Sequence, residues 1–238
     1  MPTRNRLLAS LEVEVLAAMR SRLSHVEVER GRILHTVGEE VSQVYFPTTA
    51  LIVLGVETVA GEGVNVSVLG AEGAIGAFEA CGSRHAYTRA TVQISGGIWR
   101  LPAAAYREFF AESPALRSAV HRYVELLLAE TRQSVACNAL HSVENRLART
   151  LLEVCDRSQT RLLPITQDSL SQLLGVQRTT VAAGISALQK QGLIRAGRGA
   201  IEILSQDRLE QAACSCRETL SFAREDIGSR QAPVCEAE

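Results

Sequence analysis

The sequence of 238 residues lacks the features that mark several large classes of proteins. No apolar run approaches the length of a membrane span, and the opening stretch MPTRNRLLAS has no signal-peptide core. These absences predict a cytoplasmic protein with no membrane partner. The length is sufficient for two domains, each with its own hydrophobic core.

Grouped metal ligands are missing as well. The six cysteines form no CxxC pair, and Cys214-Ser215-Cys216 is their only close spacing. The five histidines are scattered and form no HxH or HxxxH pair. We therefore predict no metal ligand, no cofactor and no catalytic residue, and we expect the cysteines of a cytosolic chain to be reduced and structural.

The net charge is small, at −1, but the charges are unevenly distributed. Residues 142–217 carry ten basic and seven acidic side chains, whereas residues 218–238 carry two basic and five acidic ones. A mildly basic segment suits DNA phosphates and predicts a salt-dependent affinity. The polar end of the chain, residues 218–238, is predicted to be a flexible tail without a function of its own.

The most informative pattern that is present consists of two short helices separated by a glycine, over residues 165–195. Thr166 is suited to cap the first helix, and the helix dipole favours Asp168 in its first turn. Gly175 lies at the turn, where a positive φ costs glycine little. The buried faces repeat at helical spacing and comprise Leu170, Leu173, Leu174, Val181, Ile185 and Leu188.

The second helix leaves its opposite face free near its N-terminal end. That face carries Gln177, Arg178, Thr179, Thr180 and Ala183. In a helix-turn-helix, residues at this end of the second helix contact base edges in the major groove. We therefore predict that these residues bind DNA, together with Thr166 at the start of the first helix.

Two short strands are predicted directly after the second helix, at residues 192–195 and 200–204. The turn between them, Gly197-Arg198-Gly199, puts Arg198 at the tip of a small hairpin. A helix-turn-helix followed by such a hairpin is a winged helix, and Arg198 is predicted to meet a DNA phosphate. The alternative is an ordinary helical hairpin, but the order of the parts favours DNA binding.

The N-terminal two-fifths of the chain has a different pattern, in which one helix precedes short β-rich segments. Apolar residues at helical spacing predict an amphipathic helix over residues 7–23. Strands that recur at about ten-residue spacing between glycine turns are typical of a sandwich or β-roll. The predicted strands are His25–Val28, Ile33–His35, Val44–Phe46, Leu51–Val56, Val64–Leu69, Arg89–Ile94 and Ile98–Leu101.

A β-roll leaves two other functions open. A cupin-type metal-dependent enzyme with a helical accessory domain needs histidine and glutamate ligands on neighbouring strands. His35 with Glu39 or Glu40 is the nearest approach to such a set. A haem ligand drawn from His25, His35 or His85 is the second alternative, and nothing in the sequence specifically favours it.

A long helix is predicted between the two halves. Ser113 is suited to cap it and Pro114 to occupy its first position, and no glycine or proline follows before Leu140. Its apolar stripe either packs on its own β-roll or forms a coiled-coil-like seam with a second copy. We favour the dimer, because a two-fold protein matches a palindromic operator. The predicted interface residues are Leu116, Val120, Tyr123, Val124, Leu127, Leu128 and Val135.

Residues 165–204 resemble the C-terminal domain of the Crp/Fnr family of bacterial transcription regulators. In many members the second helix opens with Ser-Arg-Glu-Thr, and a second arginine follows that threonine by three residues. The equivalent run here is Gln177-Arg178-Thr179-Thr180, with Ala183 in place of the second arginine. Arg178 is kept and suits a bidentate contact with guanine O6 and N7, while Thr180 keeps the place of a phosphate contact. Because the glutamate and second arginine are absent, the half-site need not be the one that better-known members read.

The resemblance implies an α+β protein with three parts. These are an antiparallel β-roll similar to a cyclic-nucleotide-binding domain (1–112), a dimerisation helix (113–141) and a winged helix that binds DNA (142–217). It also implies a homodimeric, non-enzymatic regulator that binds a two-fold symmetric operator. The implied partners are double-stranded DNA, a second copy of the chain, RNA polymerase and a small-molecule effector.

Cyclic AMP is not the expected effector. Relatives that bind it use a Gly-Glu pair for the ribose hydroxyl, and an arginine followed by a small hydroxyl residue for the phosphate. Here Ala77 follows Gly76, and His85 follows Arg84. Arg84, Gly76 and Glu79 are the candidate effector-binding residues, and a β-roll that only builds the dimer is the alternative. An N-terminal iron–sulfur cluster is disfavoured, because no cysteine precedes Cys81.

Overall fold

The computed structural model describes residues 4–219, which begin with two short helices, α1 (Arg6–Ala9) and α2 (Val13–Arg20). The prediction of one continuous helix over residues 7–23 was therefore wrong. The Ser10 hydroxyl donates to the Leu7 carbonyl at 2.8 Å where α1 ends. The Leu11 N–H bonds to the Leu8 carbonyl, and the chain turns.

Seven strands form two antiparallel sheets after α2. The sheet orders are β1-β7-β3 and β2-β6-β4-β5. Each predicted strand is confirmed to within two residues at either end. The strands are β1 (Ser24–Val28), β2 (Ile33–His35), β3 (Gln43–Pro47), β4 (Leu51–Glu57), β5 (Gly63–Leu69), β6 (Arg89–Ile94) and β7 (Gly96–Pro102).

A helix that the sequence pattern did not predict, α3 (Ala103–Glu112), follows the last strand. Its alanine-rich start favours a helix directly after Pro102. Tyr106 on α3 is fully buried, and its ring lies 6.4 Å from that of Phe46 and 6.0 Å from that of Phe110. The helix therefore closes one end of the β-roll core.

The long helix α4 (Pro114–Leu140) has the predicted bounds. The Ser113 hydroxyl accepts a hydrogen bond from the Leu116 N–H at 3.1 Å, which confirms the predicted cap. The N-terminal half of α4 belongs to the β-roll core, with Leu116, Val120 and Tyr123 all buried. In residues 4–219 no helix, α4 included, is both long enough and apolar enough to cross a bilayer.

Up to residue 215, the described C-terminal part combines four helices with a three-stranded sheet in the order β8-β10-β9. The predicted hairpin is present, and β8 is an additional strand that pairs with β10. The tail predicted over 218–238 lies outside the described residues from 220 onward. The elements are α5 (Val143–Ser158), β8 (Leu162–Leu163), α6 (Gln167–Leu174), α7 (Arg178–Lys190), β9 (Ile194–Ala196), β10 (Ile201–Ile203) and α8 (Gln206–Ala212).

Candidate DNA-binding surface

Helices α6 and α7 form the predicted helix-turn-helix. The Thr166 hydroxyl caps α6 by accepting from the Ser169 N–H at 3.1 Å. Gly175 ends α6 with a φ of 62°, in the left-handed region that favours glycine. Both local predictions are confirmed, and together they set the turn that leads into α7.

The inner face of α7 holds the helix in place. Val181, Ile185 and Leu188 are buried in the same hydrophobic cluster as Leu147 of α5. Gly184 lies between them, and a Cβ at this position would come within 3.0 Å of Leu147 Cδ2. The glycine therefore allows α5 and α7 to approach closely, and this packing directs the opposite face of α7 outward.

The outer face of α7 carries the predicted DNA-binding residues. All of them are exposed near the N-terminal end of the helix, where the backbone dipole is positive. The side chain of Gln177 makes no capping hydrogen bond although it occupies the cap position. The exposed set comprises Gln177, Arg178, Thr179, Thr180 and Ala183.

Arg178 has a weak partner on the surface. Its Nε lies 3.5 Å from Asp168 Oδ1, and the two side chains are 66% and 70% exposed. An ion pair this exposed contributes about 0–1 kcal/mol, because water solvates both charges. The guanidinium can therefore exchange Asp168 for a stronger acceptor such as a guanine edge.

The hairpin β9–β10 has the geometry of a wing. Arg195 pairs across the two strands with Glu202 at 2.9 Å, whereas Arg198 is exposed on the turn between them. Within residues 4–219, Arg198 forms no ion pair. Thr166 is less available than predicted, because it is half-buried and its hydroxyl is engaged in the cap.

The helix-turn-helix contacts the β-roll directly through α6. The Ser169 hydroxyl accepts hydrogen bonds from Gln93 Nε2 at 3.1 Å and from Arg30 Nη2 at 3.3 Å. Leu51 and Val53 of β4 belong to the same buried cluster as the winged-helix core. The two halves therefore share one apolar core at this contact.

A buried ion-pair network centred on Arg157 connects the same two halves. Its Nε lies 2.7 Å from Glu72 Oε1, and its Nη2 lies 3.0 Å from Glu130 Oε1. Burial alone would raise the pKa of Glu72, but Arg157 and the Gly70 N–H together lower it below its usual value. Sequence reasoning missed this network, since 85 residues separate Glu72 from Arg157.

The candidate effector residues lie in the segment between β5 and β6, but in different environments. Gly76 has a φ of 80°, and Ala77 beside it is fully buried. Glu79 is buried, its Oε2 has no hydrogen-bond partner among the described residues, and burial raises its pKa. The Arg84 N–H donates to the Glu79 carbonyl at 2.8 Å, yet the Arg84 side chain is exposed. The structure thus brings the backbones of Glu79 and Arg84 together while Arg84 extends its side chain to solvent.

The predicted dimer stripe on α4 divides into two parts. Leu116, Val120 and Tyr123 are 0%, 2% and 5% exposed within the single chain, so their assignment to a dimer interface was wrong. They pack on their own β-roll, as the alternative interpretation of the apolar stripe predicted. Leu128 and Val135 are 46% and 67% exposed. Val124 and Leu127 are half-buried.

The ligand set expected for a cupin-type enzyme is not assembled around His35. Its side chain is buried, and burial lowers its pKa. Glu39 Oε2 accepts from the Thr36 N–H at 2.8 Å, which stabilises a local turn. In residues 4–219 no third metal-binding side chain joins these two.

Fold and surface together define a winged-helix DNA-binding protein with an N-terminal β-roll. Residues 145–212 match the Crp-like helix-turn-helix domain. The C-terminal part of the chain therefore contains a Crp-like helix-turn-helix domain, and the chain as a whole is similar to transcription regulators of the Crp/Fnr family.

Similar proteins come from several bacteria. The CRP-like cAMP-activated global transcriptional regulator of Mycobacterium tuberculosis is 22% identical over 210 residues, which cover 85% of this chain and 94% of that protein. Two solved structures share the fold. A putative Crp/Fnr family regulator from Eubacterium rectale is 19% identical at a TM-score of 0.69, covering 87% of this chain and 96% of its own. The c-di-GMP responsive global regulator CLP of Xanthomonas campestris is 13% identical at a TM-score of 0.68. The match covers 82% of this chain and 100% of that one.

Proposed function

We propose that the chain acts as a homodimer that binds a two-fold symmetric DNA site and regulates transcription in response to an effector other than cyclic AMP. One observation carries the proposal: the exposed residues Gln177 to Thr180 at the N-terminal end of α7, in a Crp-like helix-turn-helix. Helices presented in this way read base edges in the major groove. The proposal places the protein in the bacterial cytoplasm, with RNA polymerase as a further partner and no catalytic role.

The proposed DNA contacts fall into two groups. Arg178 reads a guanine, because its fork of donors matches the O6 and N7 acceptors. Thr180 and Arg198 contact phosphates and fix the register of the protein on the duplex. Gln177, Thr179 and Ala183 border the same groove.

The proposed dimer seam is the stripe of α4 that the β-roll leaves half-buried or exposed. Val124, Leu128 and Val135 follow one another at intervals of four and seven residues, which keeps them on one face of the helix. This seam replaces the seven-residue set predicted from the sequence. It retains the proposed division into a β-roll (1–112), a dimerisation helix (113–141) and a DNA-binding part (142–217).

The effector is proposed to differ from that of the cAMP-activated relative. Ala77 brings no carboxylate to the ribose site, and the Arg84 side chain is exposed whereas Glu79 is buried. A cyclic nucleotide needs a hydroxyl acceptor and a phosphate clamp in one pocket. Glu79, whose buried Oε2 has no hydrogen-bond partner among the described residues, stays the proposed effector-binding residue with an unused acceptor.

Selection of random duplex DNA by the purified protein tests this function, and replacement of Arg178 by alanine tests the assigned residue. We expect a two-fold symmetric site. We expect Arg178→Ala to weaken binding to that site by about 5–150-fold, corresponding to about 1–3 kcal/mol for one bidentate base contact. Fluorescence anisotropy on the selected and on scrambled DNA measures both affinities.

The control for Arg178→Ala is Arg20→Ala, which removes the same charge from an exposed position on α2. Its affinity for the selected site should stay close to that of the wild type. An equal loss on selected and scrambled DNA would assign Arg178 to a phosphate. If no sequence is enriched with or without cell extract, the DNA-binding function itself is refuted.

The seam on α4 is tested by Leu128→Asp combined with Val135→Asp. Two carboxylates in an apolar dimer seam repel their symmetry copies and lose solvation, so we expect the double variant to be monomeric. Analytical ultracentrifugation measures the mass. Val59→Asp, at an exposed valine of the β4–β5 turn, should leave the dimer intact. A double variant that sediments as the wild type does would exclude this seam.

A further inference from the structure

Four side chains from distant parts of the sequence meet where α4 ends. Cys137 lies in the last turn of α4, His141 directly follows that helix, and Cys214 and Cys216 follow α8. Their three sulfur atoms and one imidazole nitrogen all lie within 4.8 Å of one another. Cys137 Sγ is 3.4 Å from Cys214 Sγ, and Cys216 Sγ is 3.4 Å from His141 Nδ1.

These separations agree with four ligands around one metal ion. In a tetrahedral zinc site, bonds of about 2.3 Å to sulfur and about 2.0 Å to nitrogen put two sulfurs about 3.8 Å apart and a sulfur and nitrogen about 3.5 Å apart. The Cys137–Cys214 and Cys216–His141 pairs are within about 0.4 Å of these values, and the other pairs lie within 4.8 Å. A cluster of several iron atoms distributes its ligands over different metals and needs them farther apart.

We propose that Cys137, His141, Cys214 and Cys216 form a tetrahedral Cys3His site for one zinc ion. This donor set is among those that structural zinc sites use. Sequence spacing alone does not indicate this site, because 77 residues separate Cys137 from Cys214. The only local signals are the close pair Cys214-Ser215-Cys216 and the interval of four residues between Cys137 and His141.

The surroundings suit a bound cation and its thiolate ligands. The three cysteines are buried and His141 is half-exposed, so an ion can enter on the histidine side. Three thiolates, a neutral imidazole and Zn²⁺ sum to a charge of −1. The guanidinium of Arg149 lies nearby, where it pairs with Glu153 through Nη1 at 2.7 Å and also interacts electrostatically with Cys137 and Cys214. Its Nε is buried and has no hydrogen-bond partner among the described residues.

The backbone around the four ligands is held by other contacts. The His141 N–H donates to the Cys137 carbonyl at 3.1 Å. Asn145 Nδ2 donates to the Ala212 carbonyl at 2.8 Å and thereby fixes the end of α8 against the start of α5. These bonds do not involve the ligand atoms, so they can persist when a metal binds.

A metal at this position would join three elements that the proposed mechanism must keep in register. Cys137 belongs to the dimerisation helix, His141 lies at the break between α4 and α5, and the other two cysteines belong to the end of the winged helix. Bound zinc would therefore restrict the angle between α4 and the DNA-binding part. This consequence for DNA rests on the proposed function, whereas metal binding itself does not.

The first test is the metal content of the untagged, full-length protein purified without oxygen, measured by inductively coupled plasma mass spectrometry. We expect about one zinc ion per chain in the wild type. Cys214→Ser should lose most of it, whereas Cys155→Ser, at another buried cysteine, should retain it. Titration of the zinc-free wild type with Co²⁺ should produce the visible bands of tetrahedral cobalt and thiolate-to-cobalt charge transfer.

His141→Cys provides a test that does not depend on loss of folding. This variant keeps four ligands and should still bind Co²⁺, with stronger charge transfer because a fourth thiolate joins the site. Equal zinc in Cys214→Ser and Cys155→Ser would overturn the proposal. So would a wild type with neither zinc nor cobalt–thiolate bands, a disulfide among these cysteines trapped in cells, or iron accompanied by acid-labile sulfide.

The effect of zinc on the junction between α4 and the DNA-binding part is measured separately by amide hydrogen exchange. Removal of zinc should accelerate exchange in residues 137–145 and 212–217, while the strands of the β-roll keep their protection. DNA affinity with and without zinc then reports on regulation. A zinc-binding protein that fails to bind any DNA would refute the proposed function and leave the metal site standing.

Discussion

Replacing Arg157 by alanine should lower the free energy of unfolding by about 3–5 kcal/mol, because the buried carboxylate of Glu72 then loses its cation. The Arg157 side chain is 8% exposed and contacts both Glu72 and Glu130. Chemical denaturation followed by circular dichroism measures this loss. The network joins α5 to α4 and to the loop after β5, so the variant should also separate the two halves more easily.

Arg89→Ala is the matched control for Arg157→Ala. Arg89 also pairs with a glutamate, Glu57, at 2.7 Å, but both side chains are 40% exposed. A pair in contact with water contributes about 0–1 kcal/mol. If the two alanine variants lost the same stability, burial would not be the cause of the effect at Arg157.

Lowering the pH should narrow the difference in the free energy of unfolding between the wild type and Arg157→Ala. The pKa of Glu72 is lowered in the folded wild type, so its contribution to stability is present above the unfolded value of about 4.3 and is lost as the pH falls below it. Without Arg157, burial becomes the dominant effect and disfavours the charged carboxylate at neutral pH. The free energies of unfolding of the two proteins, measured between about pH 7 and pH 3.5, should therefore converge as the pH falls.

Replacing Leu147 by alanine should cost about 2–5 kcal/mol of stability. Leu147 is fully buried on α5 beneath Gly184 of α7, and its truncation leaves a cavity under the recognition helix. For a chain of this size each kcal/mol lowers the melting temperature by about 2–4 °C. Differential scanning calorimetry and urea unfolding give independent values of the loss.

Leu147→Met controls for the cavity, since it keeps the volume and should cost less than about 1.5 kcal/mol. At temperatures where Leu147→Ala stays folded, its preference among DNA sequences should match that of the wild type, because the side chain does not reach the surface. A changed sequence preference without a loss of stability would contradict this assignment.

Local sequence signals predicted most of the elements and the DNA-binding surface. The cap residues Ser113 and Thr166 and the turn residue Gly175 act on their immediate neighbours, and each occupies its predicted place. The unpredicted helix α3 is an exception, and so is the break at Ser10. There the apolar spacing continues, but the Leu11 N–H bonds to the Leu8 carbonyl and the helix ends.

The sequence by itself determined the order of parts, the seven strands and the exposed edge of α7, because hydrophobic period, caps and turns depend on residues a few positions apart. Only the tertiary structure decided which leucines of α4 are available to a partner, since periodicity marks an apolar face without saying what covers it. It also decided the Arg157 network and the meeting of Cys137 and His141 with Cys214 and Cys216. Such contacts join residues far apart in the chain, so they depend on the geometry of every element and turn between those residues.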